Sequence, residues 1–297
     1  MWFWKRKKNI GKVCLCTITN SAFIPGTCVM LHTFFKYNPW FEGDVIIVDH
    51  ELEKRDRSLL EVFPNVKFIT PPPELSKAVE PIYKVRPDIA HSKVQFNLLA
   101  LFNLSGYDKY IYVDGDAFFQ GNIFNQVSRV KTIMFSPDRP SHLGIARDAC
   151  TYKMAHDHDG SNKYWYQTFN TGVLIADDTY FTQSVYLEML DLLQPDFFLP
   201  LKRSANDQYL INRYFRENYY PLSAKYNYRL GLASILEKEK GLTLDDAAII
   251  HFSGKKNPWI PDHVLSATQK EPLYVKALSK WLSEYESFLA TLTQHKN

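Results

Sequence analysis

Long apolar runs are missing from this sequence, and their absence excludes a membrane-spanning helix. No uninterrupted apolar stretch approaches the ~18 residues that such a helix requires. The first eight residues, MWFWKRKK, also lack the apolar segment that follows the basic residues of a secretory signal peptide. The sequence therefore predicts a cytoplasmic protein.

Cysteine is scarce, and its placement argues against both disulfides and zinc. The chain of 297 residues has four cysteines: Cys14, Cys16, Cys28 and Cys150. Cys14 and Cys16 fall on one face of a predicted strand, too close along the chain for a sound disulfide. No C-x-x-C pair is present to indicate a zinc site. We therefore expect reduced, packed thiols.

An excess of charge of one sign is also missing. The formal net charge is only +3, which does not indicate an extended nucleic-acid surface, so no nucleic-acid partner is expected. Apolar residues make up 45% of the chain and aromatic residues 15%, enough for an ample core. At this length the chain forms one large α/β domain or two small ones.

The start of the chain, residues 1–11, combines aromatic and basic side chains and supports two interpretations. Trp2 to Trp4 beside Lys5 to Lys8 suit the interface of a membrane with anionic lipid. The alternative is a solvated tail ahead of the first strand. On the first interpretation the protein makes a peripheral contact with the inner face of the membrane.

Strand-like and helix-like segments alternate along the chain, which predicts a mostly parallel sheet with helices on both faces. The stretch PPPE (71–74) indicates a loop or linker. The predicted strands are 12–19, 44–50, 66–70, 109–115, 132–138, 170–177 and 247–253. The predicted helices are 24–37, 55–63, 91–104, 180–193 and 206–215.

The C-terminal segment, 265–297, is predicted to be helical and amphipathic. Apolar residues recur in it at helical spacing. They are Tyr274, Leu278, Trp281, Tyr285, Phe288 and Leu292. This stripe is expected to pack on the preceding domain; a contact with a partner or a membrane is the alternative.

Two carboxylates stand at the end of a predicted buried strand in IYVDGDAFF (111–119). Asp114 and Asp116 therefore lie at the edge of the sheet where α/β proteins bind ligands, and their i, i+2 spacing puts both on one side. Hard cations such as Mg²⁺ or Mn²⁺ bind carboxylate and phosphate oxygens together. A second pair, Asp157 and Asp159, stands beside His156 in a polar stretch, which indicates a solvated loop more than a metal cluster.

Five short motifs occur in one order: HSKVQFNLL, YIYVDGDAFFQGNI, FNTGVLIAD, NDQYLIN and HFSGKKNPW. In this order and spacing the chain resembles glycosyltransferase family 8 over roughly residues 12 to 260. The resemblance implies a GT-A fold over residues 12–264, a Rossmann-like α/β domain. It also implies a retaining transfer of a hexose from a UDP-sugar to a glycan or glycolipid acceptor.

The resemblance also implies the roles of individual residues. Asp114, Asp116 and His251 would bind Mn²⁺ (or Mg²⁺), with Asp114 also touching the ribose; outside this context a lone histidine is more often a core residue. Lys93 would hold the diphosphate and the sugar, with Asp207 and Gln208 at the reaction centre. The remaining residues implied to contact the donor are Thr17, Thr19, Phe23, Gly115, Asn170, Gly254, Lys255 and Lys256.

Two positions depart from the family pattern. Phe23 stands where the family usually has tyrosine, which keeps the stacking face and loses the hydroxyl. Asn257 stands where the family has a lysine that reaches the diphosphate. Either Lys255 or Lys256 takes that role, or the site is weakened.

The implied reaction leaves one choice of mechanism and two rival functions. Gln208 is a poor nucleophile, so we favour attack from the face of the leaving group, with Asp207 and Gln208 positioning the reactants. An aspartate-nucleophile phosphatase would instead use Asp114 as the nucleophile, but Phe118 does not fit that motif. A non-catalytic sugar-nucleotide binder is suggested by Asn257. The aromatic stretch 162–169 is expected to form either a stacking wall for an acceptor or part of the core.

Overall fold

The computed structural model describes residues 10–148, 152–155, 165–201, 207–216 and 218–294, with the side chains of residues 91–93 and 294 outside the description. The strands are β1 Val13–Thr19, β2 Asp44–Asp49, β3 Val66–Ile69, β4 Lys109–Val113, β5 Ala117–Phe119, β6 Ile133–Pro137, β7 Ala146–Asp148, β8 Met154–Ala155, β9 Trp165–Tyr166, β10 Phe169–Asp177, β11 Tyr220–Pro221, β12 Tyr228–Arg229 and β13 Ile249–His251.

The α-helices are α1 Ile24–Tyr37, α2 Lys54–Leu60, α3 Pro73–Val85, α4 Phe124–Arg129, α5 Arg139–His142, α6 Gln183–Asp191, α7 Pro195–Phe198, α8 Asp207–Phe215, α9 Ala233–Lys240, α10 Pro261–Lys270 and α11 Tyr274–Gln294. Segments of 3₁₀ helix are Ser21–Phe23, Pro87–Asn103, Asp178–Tyr180, Ala224–Tyr226, Leu230–Leu232 and Leu244–Asp246.

The central sheet has the strand order β11-β6-β10-β4-β1-β2-β3. Strands β4, β1, β2 and β3 are parallel, and β10 runs antiparallel to both β4 and β6. This is the mostly parallel α/β sheet that the alternation of segments predicted. The parallel half brings the carboxyl ends of β1 and β4 to one edge, where the sequence predicted the site.

Alternation along the strands divides the core between the two faces of the sheet. Cys16 and Tyr112 pack on one face with the helix Pro87–Asn103, and Leu15 and Ile111 pack on the other. The predicted free thiols are confirmed for the described residues: Cys14, Cys16 and Cys28 are free and buried. Cys150 lies outside the described residues.

A small sheet of order β12-β13-β5 joins the C-terminal part of the chain to the end of β4. β5 follows Asp116 directly and pairs antiparallel with β13, so His251 stands opposite Ala117. The sequence did not predict β5 as a strand, and this pairing is what carries His251 to the two aspartates. A third sheet has the order β8-β7-β9.

Two local predictions are wrong. The loop predicted over 71–74 is confined to residues 71 and 72, and helix begins at Pro73, because proline at the first helical position has a suitable φ and needs no hydrogen-bond donor. The α-helix predicted over 91–104 is instead a 3₁₀ segment, and it begins earlier, at Pro87. Its tighter turn places the apolar residues on more than one side, and most residues from Phe96 to Phe102 are buried.

The C-terminal stripe packs on the domain, as expected. Tyr274, Trp281 and Phe288 of α11 are buried, and Phe288 stacks on Phe63 at 5.6 Å between ring centroids. Lys36 of α1 reinforces the packing by an ion pair of 2.8 Å with Glu284. Within the described part of the chain, no helix combines the length and apolarity needed to cross a bilayer.

Candidate functional site

The structure brings Asp114, Asp116 and His251 together at the carboxyl end of β4. His251 Nε2 lies 3.0 Å from Asp116 Oδ1 and 3.6 Å from Asp114 Oδ2. One ligand atom of each residue falls within 4.8 Å of the others, so a single cation could contact all three. Two carboxylates and an imidazole are a donor set that suits Mn²⁺, and Mg²⁺ prefers sites richer in oxygen.

Gly172 makes this cluster possible, although the sequence did not single it out. A Cβ atom on Gly172 would lie 2.3 Å from His251 Cε1 and 2.6 Å from Asp114 Oδ2. Its carbonyl also accepts the backbone N–H of Asp114 at 2.9 Å. The pairing of β10 with β6 shifts register between Asn170 and Leu174, a bulge of the kind that redirects side chains beside active sites.

The hydrogen bond on the far side of the His251 ring supports metal binding. His251 Nδ1 lies 2.8 Å from Asn227 Oδ1, and Asn227 Nδ2 donates to Asn170 Oδ1 at 2.8 Å. Because the Asn227 oxygen can only accept, Nδ1 of His251 carries a proton. In the neutral ring the lone pair is then on Nε2, which faces the carboxylates.

Burial and charge shift the pKa values of the cluster. Burial disfavours the charged form of His251, but Asp116 and Asp114 outweigh it and raise the His251 pKa. Burial raises the pKa of the Asp114 carboxyl; His251 partly opposes the rise and Asp116 adds to it. Tyr112 donates to Asp114 Oδ1 at 2.5 Å and holds that carboxylate in place.

Beyond Asn170, a row of polar side chains continues away from the cluster of Asp114, Asp116 and His251. Asn170 Nδ2 donates to Gln208 Oε1 at 2.8 Å, and Gln208 Nε2 is 3.4 Å from Asp138 Oδ2. Arg229 closes the row with a 2.7 Å ion pair to Asp138 Oδ1. The sequence predicted Asn170 and Gln208 and missed Asp138 and Arg229, whose pairing joins distant strands.

Asp207 lies in the same region, at the first position of α8. Its Oδ2 accepts the hydroxyl of Thr171 at 3.0 Å, and the residue is 8% exposed. Burial raises the pKa of Asp207 to about 7, with Asp114 adding to the rise. Ionisation of Asp207 at neutral pH therefore destabilises the metal-free folded protein.

Asp207→Asn should make the metal-free protein more stable at pH 8 than the unsubstituted chain. The Asp207 pKa is about 7 in the folded state and ~3.9 in the unfolded state. Protonated Asp207 therefore contributes fully to the free energy of unfolding below pH ~4, and this contribution is lost as pH rises through 7. Asparagine has no such loss. We expect a gain on the order of 4 kcal/mol at pH 8 and little change at pH 4, measured by denaturant unfolding with chelator.

Asp138→Asn provides a control of opposite sign. Burial works against the Asp138 charge, but Arg229 outweighs it and lowers the Asp138 pKa. Ionised Asp138 therefore stabilises the fold above the unfolded pKa, and this stabilisation is lost as pH falls through the folded pKa. Its substitution should destabilise the protein at pH 8. Equal stability of Asp207→Asn and the unsubstituted chain at pH 8 would contradict the argument.

The threonines predicted for the donor site line the junction of β1 and α1. Thr17 is fully buried and donates to the Val113 carbonyl at 2.8 Å, and Thr19 Oγ1 lies 2.8 Å from Thr27 Oγ1. Gly115 approaches Thr27 so closely that a Cβ atom would lie 2.6 Å from its hydroxyl. The structure thus places these residues at the edge beside Asp114, and their ligand contacts stay predictions.

Phe23 is fixed by the last of the five motifs. Its ring meets Trp259 edge to face at 5.6 Å, and Trp259 Nε1 donates to the Ala22 carbonyl at 2.9 Å. Gly26 permits this approach, since a Cβ there would lie 2.2 Å from the Trp259 ring. The structure therefore joins the TITNSAF and HFSGKKNPW segments.

The two lysines after Gly254 differ in their surroundings. Lys256 lies 3.4 Å from Glu271 Oε1, an ion pair that neutralises part of its charge. Lys255 is exposed, and no partner holds its side chain within the described part of the protein. Asn257 is 2% exposed; its Oδ1 lies 3.1 Å from His263 Nδ1, and its Nδ2 has no partner among the described residues.

Some predicted residues lie outside the description. The backbone of Lys93 belongs to the 3₁₀ segment Pro87–Asn103, but its side chain is not described. His156, Asp157 and Asp159 lie outside the described residues, as does the segment 1–9. Of the aromatic stretch 162–169, the described part includes Tyr166 and Phe169, both buried, which favours core packing for these two rings.

Comparison with known proteins identifies related sequences. The model of glycosyl transferase family 8 matches residues 14–262. The chain is 24% identical to galactinol synthase 6 of Arabidopsis thaliana over 233 residues, 71% of this chain and 64% of that protein. Galactinol synthase 5 of the same plant is 22% identical over 232 residues, 70% of this chain and again 64% of that protein. The chain thus matches less than two thirds of the length of either synthase.

Solved structures share the fold. The galactosyltransferase LgtC, in complex with donor and acceptor sugar analogs, has a TM-score of 0.66 at 17% identity, covering 92% of this chain and 95% of LgtC. The glycosyltransferase GlyE of Streptococcus pneumoniae has a TM-score of 0.55 at 14% identity, covering 92% of this chain and 64% of GlyE. The predicted GT-A fold is confirmed.

Proposed function

We propose, from the premise that this chain belongs to glycosyl transferase family 8, that it transfers a hexose from a UDP-sugar to a hydroxyl group of a glycan or glycolipid acceptor. The carrying observation is one cluster: the Asp114, Asp116 and His251 ligand set stands at the same sheet edge as Asn170 and Gln208. A cation site and a polar reaction centre joined by hydrogen bonds fit transfer from a nucleotide diphosphate.

Asp114, Asp116 and His251 would hold Mn²⁺, or Mg²⁺ in its place. When bound, the cation neutralises charge on the diphosphate and favours its departure. The fit rests on the His251 lone pair directed by Asn227 and on the space left by Gly172. Phe23 offers its ring face to the base, and Lys93 and Lys255 supply positive charge to the diphosphate.

The transfer proceeds with retention, by attack on the face from which UDP leaves. The bond between the anomeric carbon and the phosphate oxygen breaks, the acceptor oxygen bonds to that carbon, and the acceptor proton passes to the departing phosphate. Gln208, held by Asn170 and Asp138, orients the sugar. Asp207 positions the reactants beside the oxocarbenium-like carbon, and its hydrogen bond to Thr171 fixes the carboxyl.

A panel of UDP- and GDP-sugars, each with Mn²⁺ or with chelator, tests this function. Metal-dependent release of UDP from one sugar, increased by a glycan acceptor, is the expected result. Binding of the nucleotide sugar without turnover would favour the non-catalytic binder. Release of phosphate from a simple phosphoester would favour the phosphatase with Asp114 as nucleophile.

Lys255→Ala should lower donor turnover by about 10- to 1,000-fold, the range for losing one contact to developing charge. Lys256→Ala should cost less than about tenfold, because Glu271 already neutralises much of its charge. Steady-state kinetics of both variants with the preferred donor measures the difference. The reverse order would assign the diphosphate contact to Lys256.

Asn257→Lys should add little to turnover if Lys255 already supplies the positive charge that contacts the diphosphate. The Asn257 side chain is 2% exposed and contacts His263, so a lysine charge placed there would pay a cost of burial. Its unpartnered Nδ2 could instead donate to the diphosphate as a neutral group. A sharp rise in turnover of Asn257→Lys would show that the site is impaired by asparagine and would favour the binder.

The protein is proposed to act in the cytoplasm, with the aromatic-basic start as a contact to anionic membrane. Each basic residue near such a surface contributes about 1 kcal/mol, so Lys5 to Lys8 together would matter. In co-sedimentation, the full chain should pellet with anionic vesicles and not with neutral ones. A protein without the first eight residues should stay in the supernatant with both. Equal recovery of both proteins in the supernatant would contradict the membrane contact.

A further inference from the structure

Asn227 uses both ends of its amide inside the protein. The residue is 2% exposed and immediately precedes β12, where Arg229 pairs with His251 of β13. Its Oδ1 faces His251 Nδ1 at 2.8 Å, and its Nδ2 donates to Asn170 Oδ1 at 2.8 Å. It therefore touches a predicted metal ligand on one side and a predicted donor-site residue on the other.

The orientation of each amide in the row depends on the one before it. Asn170 Oδ1 accepts from Asn227 Nδ2 and also from the Gly172 backbone N–H at 3.1 Å. Its Nδ2 is therefore available to donate to Gln208 Oε1, which in turn directs Gln208 Nε2 toward Asp138. Reversing Asn227 would place oxygen against oxygen at Asn170 unless that amide also reversed.

We propose that Asn227 is a positioning residue that couples the metal ligand His251 to the amides of Asn170 and Gln208, a role that rests on the proposed function. It keeps the proton of the imidazole on Nδ1, so that Nε2 is free for the cation. It also fixes which atom Gln208 presents at the reaction centre. The amide oxygen serves His251 and the amide NH₂ group serves Asn170, so a substitution that keeps only one of these groups separates the two tasks.

Asn227→Asp tests the coupling. Its carboxylate still accepts the proton of His251 Nδ1, so the dissociation constant for Mn²⁺ should stay within about threefold. The carboxylate cannot donate to Asn170. Asn170 therefore either keeps Oδ1 against a carboxylate oxygen or turns, which loses its bond to the Gly172 N–H and turns Gln208 oxygen toward Asp138. We expect kcat to fall about 10- to 100-fold with Mn²⁺ affinity retained.

Asn227→Ala removes both hydrogen bonds. Mn²⁺ affinity, measured by the electron paramagnetic resonance of free Mn²⁺ without donor sugar, should weaken about 10- to 100-fold. Asn38→Ala is the matched control, because Asn38 is also buried. Among the described residues its side chain bonds the Phe34 carbonyl, the Ile123 N–H and Trp40 Nε1, none of which belongs to the predicted site. It should lower thermal stability and leave Mn²⁺ affinity unchanged.

The outcomes separate the two proposals. Weak Mn²⁺ binding by the alanine variant and normal binding with low kcat by the aspartate variant support the coupling. Equal losses of affinity and kcat in both variants, or no loss in either, overturn it even when the unsubstituted enzyme turns over donor. If the unsubstituted chain turns over no sugar, the proposed function fails. If Asn227→Ala also keeps its Mn²⁺ affinity, the proposed effect of Asn227 on His251 fails as well.

Discussion

Asp116→Asn is expected to abolish Mn²⁺-dependent donor turnover with the fold intact. The Asp116 carboxylate lies 3.0 Å from His251 Nε2 and is 9% exposed, so its charge faces the cluster and not the solvent. Asparagine matches its size and removes that charge. Loss of a ligand should cost more than the 10- to 100-fold of a supporting residue, so we expect at least about a hundredfold loss of both turnover and Mn²⁺ affinity.

Asp157→Asn and Asp159→Asn are the controls for this substitution. They repeat the same chemical change in the other D-x-D pair of the chain, which follows no predicted strand. Both should keep turnover near that of the unsubstituted protein. Thermal unfolding of all three variants shows whether the fold is retained. Full activity of Asp116→Asn would remove the metal site from the proposed mechanism.

Two of the three predicted ligands follow from local pattern, but the third does not. Asp114 and Asp116 follow an apolar run, and the rule that ligands bind at the carboxyl ends of parallel strands gave their location. His251 was reached only through the resemblance to a family. Its contact depends on pairing between β5 and β13, strands of three residues each that are too short to show a period.

The supporting residues were missed for a related reason. Asn227 precedes a strand of two residues, and nothing in its neighbours distinguishes it from an ordinary turn asparagine. Its position beside His251 follows only from the register of β12 against β13. Arg229 and Asp138 similarly pair across distant segments, and a single sequence does not report such pairs.

Regular elements were predicted best where several local signals agreed. Helix α1 has the predicted bounds, because Pro25 suits its first turn and an apolar run follows. Helix α3 was missed because PPPE also fits a loop. The burial of Leu75, Val79 and Ile82 shows that this segment is helical. Tertiary contacts favour the helix over the loop, and the local sequence pattern does not contain those contacts.

Gly172→Ala should disrupt the predicted metal site formed by Asp114, Asp116 and His251. The added Cβ would lie 2.3 Å from His251 Cε1 and 2.6 Å from Asp114 Oδ2, and real Cβ atoms essentially never approach other atoms within 3.0 Å. Backbone and ligands must therefore move apart. We expect Mn²⁺ affinity to fall at least about a hundredfold, with a stability cost of about 1–3 kcal/mol from overpacking.

Gly231→Ala is the matched control, because the nearest atom to its added Cβ is the flexible end of Lys256, 3.4 Å away. It should bind Mn²⁺ like the unsubstituted chain. Titration with Mn²⁺ at fixed pH, together with thermal unfolding, separates loss of ligand geometry from loss of fold. If Gly172→Ala bound Mn²⁺ normally, the imidazole and the Asp114 carboxylate could not both be ligands in this arrangement, since the methyl group occupies the space through which they approach each other.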